Sequence, residues 1–183
     1  MSESTDRQFD GHVVLVGLPG AGKSTVGRAL AKQLHRPFLD FDNEIEKRTG
    51  IPVAKFFAQR GEVEFRKLEV EVTKELVSEP PMVLSPGGGW ITNVGAADLL
   101  RPPARLVHLL ITPAEALRRL ARSRIVRPLL AGPHPLATME RLWTSRGSLY
   151  RQSDLEIDVE LNDSQRVIDL IVALAHDLTP RLG

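Results

Sequence analysis

The chain contains no cysteine, which excludes disulfides and thiolate metal sites and fits a reducing cytosol. No run of apolar residues is long enough to span a bilayer. Met1–Asp10 (MSESTDRQFD) lacks the apolar core of a signal peptide, and reads as a flexible leader before the first strand. A charge of one sign is also missing. Lys and Arg number 24 against 23 Asp and Glu, leaving +1, so nothing global points to nucleic acid or a membrane as partner. Internal repeats and low-complexity tracts are absent. What is present, 42% hydrophobic and 26% charged residues in a length of 183, suits one well-buried globular domain over 11–183. A cytoplasmic monomer is the expectation.

His12–Val16 (HVVLV) is a short apolar run rich in valine, the mark of a strand buried on both faces of a parallel sheet. Lys23–Leu34 has helical spacing, with Val26, Ala29, Leu30 and Leu34 apolar. Pro37–Asp40 reads as a second strand. Asp42–Thr49 reads as a helix stopped by Gly50. Val53–Gln59 and Glu62–Ser78 are helical, Met82–Ser85 is a third strand and Arg105–Ile111 a fourth. Pro113–Arg122 is helical, with proline suited to its first turn. Ser123–Pro135 reads as a surface loop and Leu136–Arg151 as a helix. Leu155–Leu161 (LEIDVEL) alternates apolar and acidic residues, as an edge strand does. Val167–Leu178 is amphipathic. Strands alternating with helices argue for a parallel sheet sandwiched by helices.

Gly17–Thr25 (GLPGAGKST) contains the spacing G-x-x-x-x-G-K-[ST] without a gap. Glycines at 17, 20 and 22 let backbone N–H groups converge on phosphate oxygens, and the start of the following helix adds its positive dipole end. Lys23 then reaches the β- and γ-phosphates, and the Ser24 hydroxyl sits on magnesium. A chance match on a glycine-rich turn is the alternative, but the apolar strand before the loop and the helix after it supply the required context. Such a loop does not by itself separate kinases from GTPases, motors or switches.

Asp40 and Asp42 (LDFD) sit at the end of the second strand. If that strand persists through both, residues two apart face one side, in the crevice formed by strand ends. Like charges so placed need a compensating cation or donors. A magnesium near Ser24 would supply one. Asp42 as a mere helix cap is the plainer alternative, and the residues alone leave both open. Arg66, taken alone, reads as a solvated helix arginine paired with Glu62 or Glu69. Gly87–Gly89 could be a flexible turn, yet three glycines after a buried strand bring bare backbone to the crevice. Phe57 and Phe65 read as core, with a pocket wall as the alternative. Arg118, Arg119, Arg122, Arg124 and Arg127 fit a mobile arginine loop closing over transferred phosphate. They fit a nucleic-acid patch less well, because no aromatics are interleaved. The histidines are scattered without metal-ligand spacing.

Taken in order, GLPGAGKST (17–25), LDFD (39–42), GEVEFR (61–66), SPGGGW (85–90), RPLL (127–130) and RGSLY (146–150) resemble the shikimate kinase family over most of the chain. Each piece is weak; the ordered set is specific. The resemblance implies an α/β, three-layer P-loop kinase fold of the nucleoside-monophosphate-kinase type. Its five-stranded parallel sheet runs in order 2-3-1-4-5, flanked by helices. A substrate-binding segment falls at about 42–70 and a lid loop at about 122–135. The implied activity is transfer of the γ-phosphoryl of ATP to the 3-hydroxyl of shikimate, with Mg2+ accompanying ATP.

Carried over residue by residue, the resemblance makes Asp42 the catalytic base, with Lys23 and Arg127 the other catalytic groups. Gly20, Ala21, Gly22, Lys23, Ser24, Thr25, Arg119 and Arg127 bind ATP, Arg119 against adenine and Arg127 from the lid. Ser24 and Asp40 fall near the metal. Arg66 and Arg146 grip the substrate carboxylate, while Asp42, Gly87, Gly88 and Gly89 contact hydroxyls. The chemistry agrees: arginine forks suit carboxylates better than lysine does, and phosphoryl transfer needs mainly positioning and charge neutralisation. In two places the chain departs from common patterns. Met82–Ser85 ends without the aspartate that many phosphate-loop proteins use on magnesium, and Asn162–Gln165 (NDSQ) is not basic. The rivals are a gluconate or nucleoside-monophosphate kinase of the same fold, and a nucleotide-binding regulator without catalysis.

Overall fold

The computed structural model describes residues 9–122, 130 and 132–176. The valine-rich run forms β1 (Val13–Val16), buried along its whole length. β2 (Phe38–Asp40), β3 (Val83–Ser85), β4 (Arg105–Leu110) and β5 (Leu155–Asp158) join it in one sheet of order β2-β3-β1-β4-β5, every neighbouring pair parallel. β1 therefore sits at the centre, as its apolar character requires. β5 lies at an edge and is shorter than the alternating pattern suggested. The Asp158 carboxylate accepts from the N–H groups of Glu160 and Leu161 at 2.8 and 3.1 Å, which turns the chain out of the strand.

The helices flanking the sheet are α1 (Lys23–Gln33), α2 (Phe41–Thr49), α3 (Val53–Leu76), α4 (Ala96–Leu100), α5 (Pro113–Ala121), α6 (Pro135–Tyr150) and α7 (Ser164–His176). α3 covers the two helices read from the sequence. Gly61, at φ 79° and ψ 174°, breaks it between them. The short α4 and the 3-10 turn Trp90–Thr92 had no periodic signal. Trp90 is fully buried, packs edge-on against Phe41 and donates its indole N–H to Thr73 Oγ1 at 2.9 Å. It anchors the chain just after the glycine triplet.

Of the leader, Phe9 is described: its N–H donates to Ala175 O at 3.3 Å and its ring lies under Arg36 and Arg105. No helix among the described residues is long and apolar enough to cross a membrane.

Parallel topology sets where chemistry can occur. The C-terminal ends of β1, β2 and β3 lie side by side, with Asp40 in register with Ser85 and the phosphate loop leaving β1 next to them.

Candidate active site

Residues 17–22 leave β1 and turn directly into α1, whose N-cap Gly22 has φ 91°. At Gly20 the backbone has φ +89°, and a Cβ would lie 2.5 Å from the Ala116 carbonyl oxygen of α5, so only glycine fits. Lys23 Nζ donates to the carbonyls of Gly17 and Leu18 at 2.9 and 3.1 Å. Its ammonium is thus folded over the loop, where phosphate oxygens would be met. An open cleft of about 570 Å³ runs from this loop past Ser24 and Asp40 to Arg119 and the 162–164 turn. Arg119 is tethered there, donating Nη2 to Val159 O at 2.7 Å and Nε to Glu115 at 2.9 Å.

β2 stops at Asp40 rather than continuing to Asp42. The Asp40 Oδ1 atom caps α2, accepting from the N–H groups of Asp42 and Asn43 at 3.1 and 3.4 Å, and this capping ends the strand. The expected same-face strand pair is therefore replaced by a cap and a first-turn residue, and the capping role falls to Asp40. Both side chains still line the cleft. Asp40 Oδ2 accepts from Ser24 Oγ at 2.5 Å, and Ser85 Oγ lies 3.5 Å from Ser24 Oγ. Hydroxyl and carboxylate oxygens gathered beside a phosphate loop are the hard donors that magnesium takes, with phosphates and water completing its shell. These residues fit that ion. No group of three or more His, Asp or Glu side chains among the described residues forms a self-sufficient metal cage.

Beyond Asp42 the cleft continues into a small chamber of about 60 Å³, walled by Val53, Phe57, Phe65, Arg66, Gly87–Gly89 and Arg146. Phe57 and Phe65 are both core and wall, their rings 4.7 Å apart. Arg66 pairs with both acids considered from sequence: Nη1 with Glu69 at 2.6 Å, Nη2 with Glu62 at 2.6 Å. It is nevertheless not a solvated surface arginine, since its side chain is only 15% exposed and Glu69 is fully buried. Burial opposes the Arg66 charge, but Glu69 and Glu62 offset it and leave its pKa above the usual value. Burial likewise lifts the Glu69 carboxyl above the ordinary range, with Arg66 and Asn93 pulling it down. The guanidinium lies across Gly89, where a Cβ would come within 1.9 Å of Nη2. Arg146, from α6, is also buried, and its Nη1 has no protein hydrogen-bond partner. A buried guanidinium nitrogen without a protein partner, lining a small chamber, is a place for an anion.

The family model for shikimate kinase matches residues 19–175. The chain belongs to the shikimate kinase family. Over 161 residues it is 44% identical to a shikimate kinase of Mycobacterium avium, covering 87% of this chain and 90% of that one. The structure superposes with a TM-score of 0.86 on shikimate kinase from Acinetobacter baumannii in complex with shikimate, at 36% identity, covering 96% and 97% of the two chains. A gluconokinase from Sinorhizobium meliloti, at TM-score 0.59 and 21% identity over 94% and 97%, shares the fold alone.

Of the residues that the shikimate kinase resemblance singled out, the structure brings Gly20, Ala21, Gly22, Lys23, Ser24, Thr25, Asp40, Asp42, Gly87, Gly88 and Arg119 to the open cleft. Arg66, Arg146 and Gly89 line the chamber with Asp42. Arg127 and most of the proposed lid lie outside the described residues. Arg118 and Arg119 belong to α5 rather than to a loop, held by Glu115. Sequence reasoning gave no site role to Glu69, Asn93 and Tyr150. Glu69 Oε2 accepts from Asn93 Nδ2 at 3.1 Å as well as from Arg66. The i,i+3 spacing from Arg66 was the only available signal.

Proposed function

We infer that the chain transfers the γ-phosphoryl group of ATP to the 3-hydroxyl of shikimate, releasing ADP and shikimate 3-phosphate. One observation carries this: the open cleft and the small chamber share Asp42, Gly87 and Gly88, so a nucleotide in one and a small acid in the other meet at a single carboxylate. Asp42 accepts the proton of the attacking hydroxyl as its oxygen bonds to the γ-phosphorus and the bond to the β–γ bridging oxygen breaks. Gly20–Thr25 hold the phosphates, and Lys23 neutralises charge on them. Ser24 and Asp40 would hold magnesium, which when bound supplies further charge neutralisation. Arg119 lines the adenine side, and Arg127 serves as the lid arginine.

In the chamber, Arg66 and Arg146 take the substrate carboxylate, and Gly87–Gly89 leave room for the ring hydroxyls. Their buried, forked donors suit a planar carboxylate. This reading takes 11–183 as one kinase unit, a monomer in the cytoplasm, with the acceptor segment at about 42–70 and the lid at about 122–135. ADP release is measured with ATP, Mg2+ and, separately, shikimate, gluconate and nucleoside monophosphates. Stimulation by shikimate is expected; its absence, or a larger response to another acceptor, overturns the assignment.

A further inference from the structure

Tyr150 closes the RGSLY motif and has no part in the steps above. It lies one helical turn after Arg146, on the same face of α6. Its ring is completely buried and stacks on that of His108 from β4, with centroids 4.9 Å apart and planes 19° from parallel. His108 is itself buried and held through Nδ1 by Glu156 at 2.8 Å. The phenol is thus gripped from the sheet side, and its hydroxyl donates to the Gly88 carbonyl at 2.7 Å. Burial raises the Tyr150 pKa to about 12 against the pull of Arg146, whose guanidinium also hydrogen-bonds the phenol, and of Arg66, so the donor keeps its proton at any ordinary assay pH.

Gly88 is confined from the other side by the phosphate loop. A Cβ there would lie 3.1 Å from Pro19 Cδ and 3.3 Å from the Gly17 carbonyl oxygen. Its flanking residues touch the acceptor groups. At Gly87 a Cβ would meet Glu69 Oε1 at 2.9 Å and Asp42 Oδ1 at 3.3 Å, and Gly89 carries the Arg66 guanidinium. Gly88 is therefore the point where the donor and acceptor halves of the site press against each other.

We propose that Tyr150 is a positioning residue, which by holding the Gly88 carbonyl sets the glycine turn at its working distance from the phosphate loop. Losing this bond removes the side-chain donor from a part-buried carbonyl, and the turn is freed to shift toward another. Asp42 and Arg66 lose their backing, whereas the nucleotide keeps the rest of its loop. The inference rests on the acceptor reading given above.

The test is Tyr150→Phe, which keeps the ring, its volume and the stack on His108. Shikimate KM is expected to rise about fivefold, the effect of one hydrogen bond, with ATP KM changed by less than about twofold. Calorimetric titration with shikimate alone is expected to show the same loss, and it reads the acceptor site even if turnover falls too low to follow. Unchanged shikimate affinity overturns the inference. So does a parallel rise in both KM values with a lowered Tm, which would make Tyr150 a packing residue only. Wild-type protein that binds no shikimate would instead overturn the functional reading, so the two failures are distinguishable.

Discussion

The two halves of this site are built in opposite ways. The proposed donor half comes from consecutive residues, 17 to 25, uses mainly backbone, and opens on a cleft of about 570 Å³. The proposed acceptor half gathers Asp42 from α2, Arg66 from α3, the glycine triplet after β3 and Arg146 from α6 around about 60 Å³, with Glu69 of α3 holding Arg66 from behind. Backbone amides at a helix start grip any triphosphate, so that grip can be local and generic. Choosing one small hydroxy acid takes charges that are buried, paired and aimed, and only long-range folding can assemble them. Generality resides in the loop and selectivity in the chamber.

The largest expected effect breaks the link between the halves. Asp42→Asn removes the proposed proton acceptor while keeping the size and most of the polarity of the side chain. Turnover should fall by about 10²–10⁴, with ATP affinity, followed by titration of a nucleotide analogue, little changed. Equal loss of nucleotide binding would make Asp42 a structural residue of α2.

A smaller effect should fall on the acceptor half alone. Gly89→Ala places a methyl group where Arg66 Nη2 now lies. The obstacle is the end of a flexible side chain, so the fold can survive while the guanidinium moves off its place. Loss of a charge-assisted contact of about 1.5–3 kcal/mol corresponds to shikimate affinity weakened by at least tenfold. ATP KM should hardly change, whereas Tm should fall as Arg66 leaves the buried Glu69 carboxylate. A change in ATP KM of the same size would show that the chamber is not a separate compartment.

The same contrast explains what could be read from sequence. Val13–Val16 and the loop after it form a local signal, and the structure bears out strand, loop and helix to within a residue. The sheet order followed from the resemblance and holds. Asp40 and Asp42 share a face only if the second strand runs through both, and period-2 reasoning, which sees only alternation, leaves that open. Whether a strand continues depends on the capping hydrogen bonds at its end, and these are set by competing local energies. Arg66 read as a solvated partner of Glu62 or Glu69. Both pairings exist, but burial changes their meaning, and burial is decided by α2, β3 and α6 arriving from distant parts of the chain. Tyr150 had no legible role, since its partner, the Gly88 carbonyl, is 62 residues away in sequence and backbone acceptors leave no trace in residue identity.

The smallest expected effect lies at the donor rim, where charges are screened by water. Glu115 bonds Arg118 and Arg119, and these bonds hold its carboxyl down to about 2, against an ordinary 4.5. A depressed carboxyl pKa adds stability that is complete above the unfolded-state value and is lost as pH falls through the folded one. Wild-type protein and Glu115→Gln should therefore differ in Tm by a constant, small amount from neutral pH down to about 4.5. The gap should then narrow toward zero as the pH approaches about 2. Thermal melts of both proteins across that range check it. A gap that persists below pH 2 would mean that the glutamate acts by packing on α5 rather than by charge. A gap that widens on acidification would reverse the sign and exclude the ion pairs as its source.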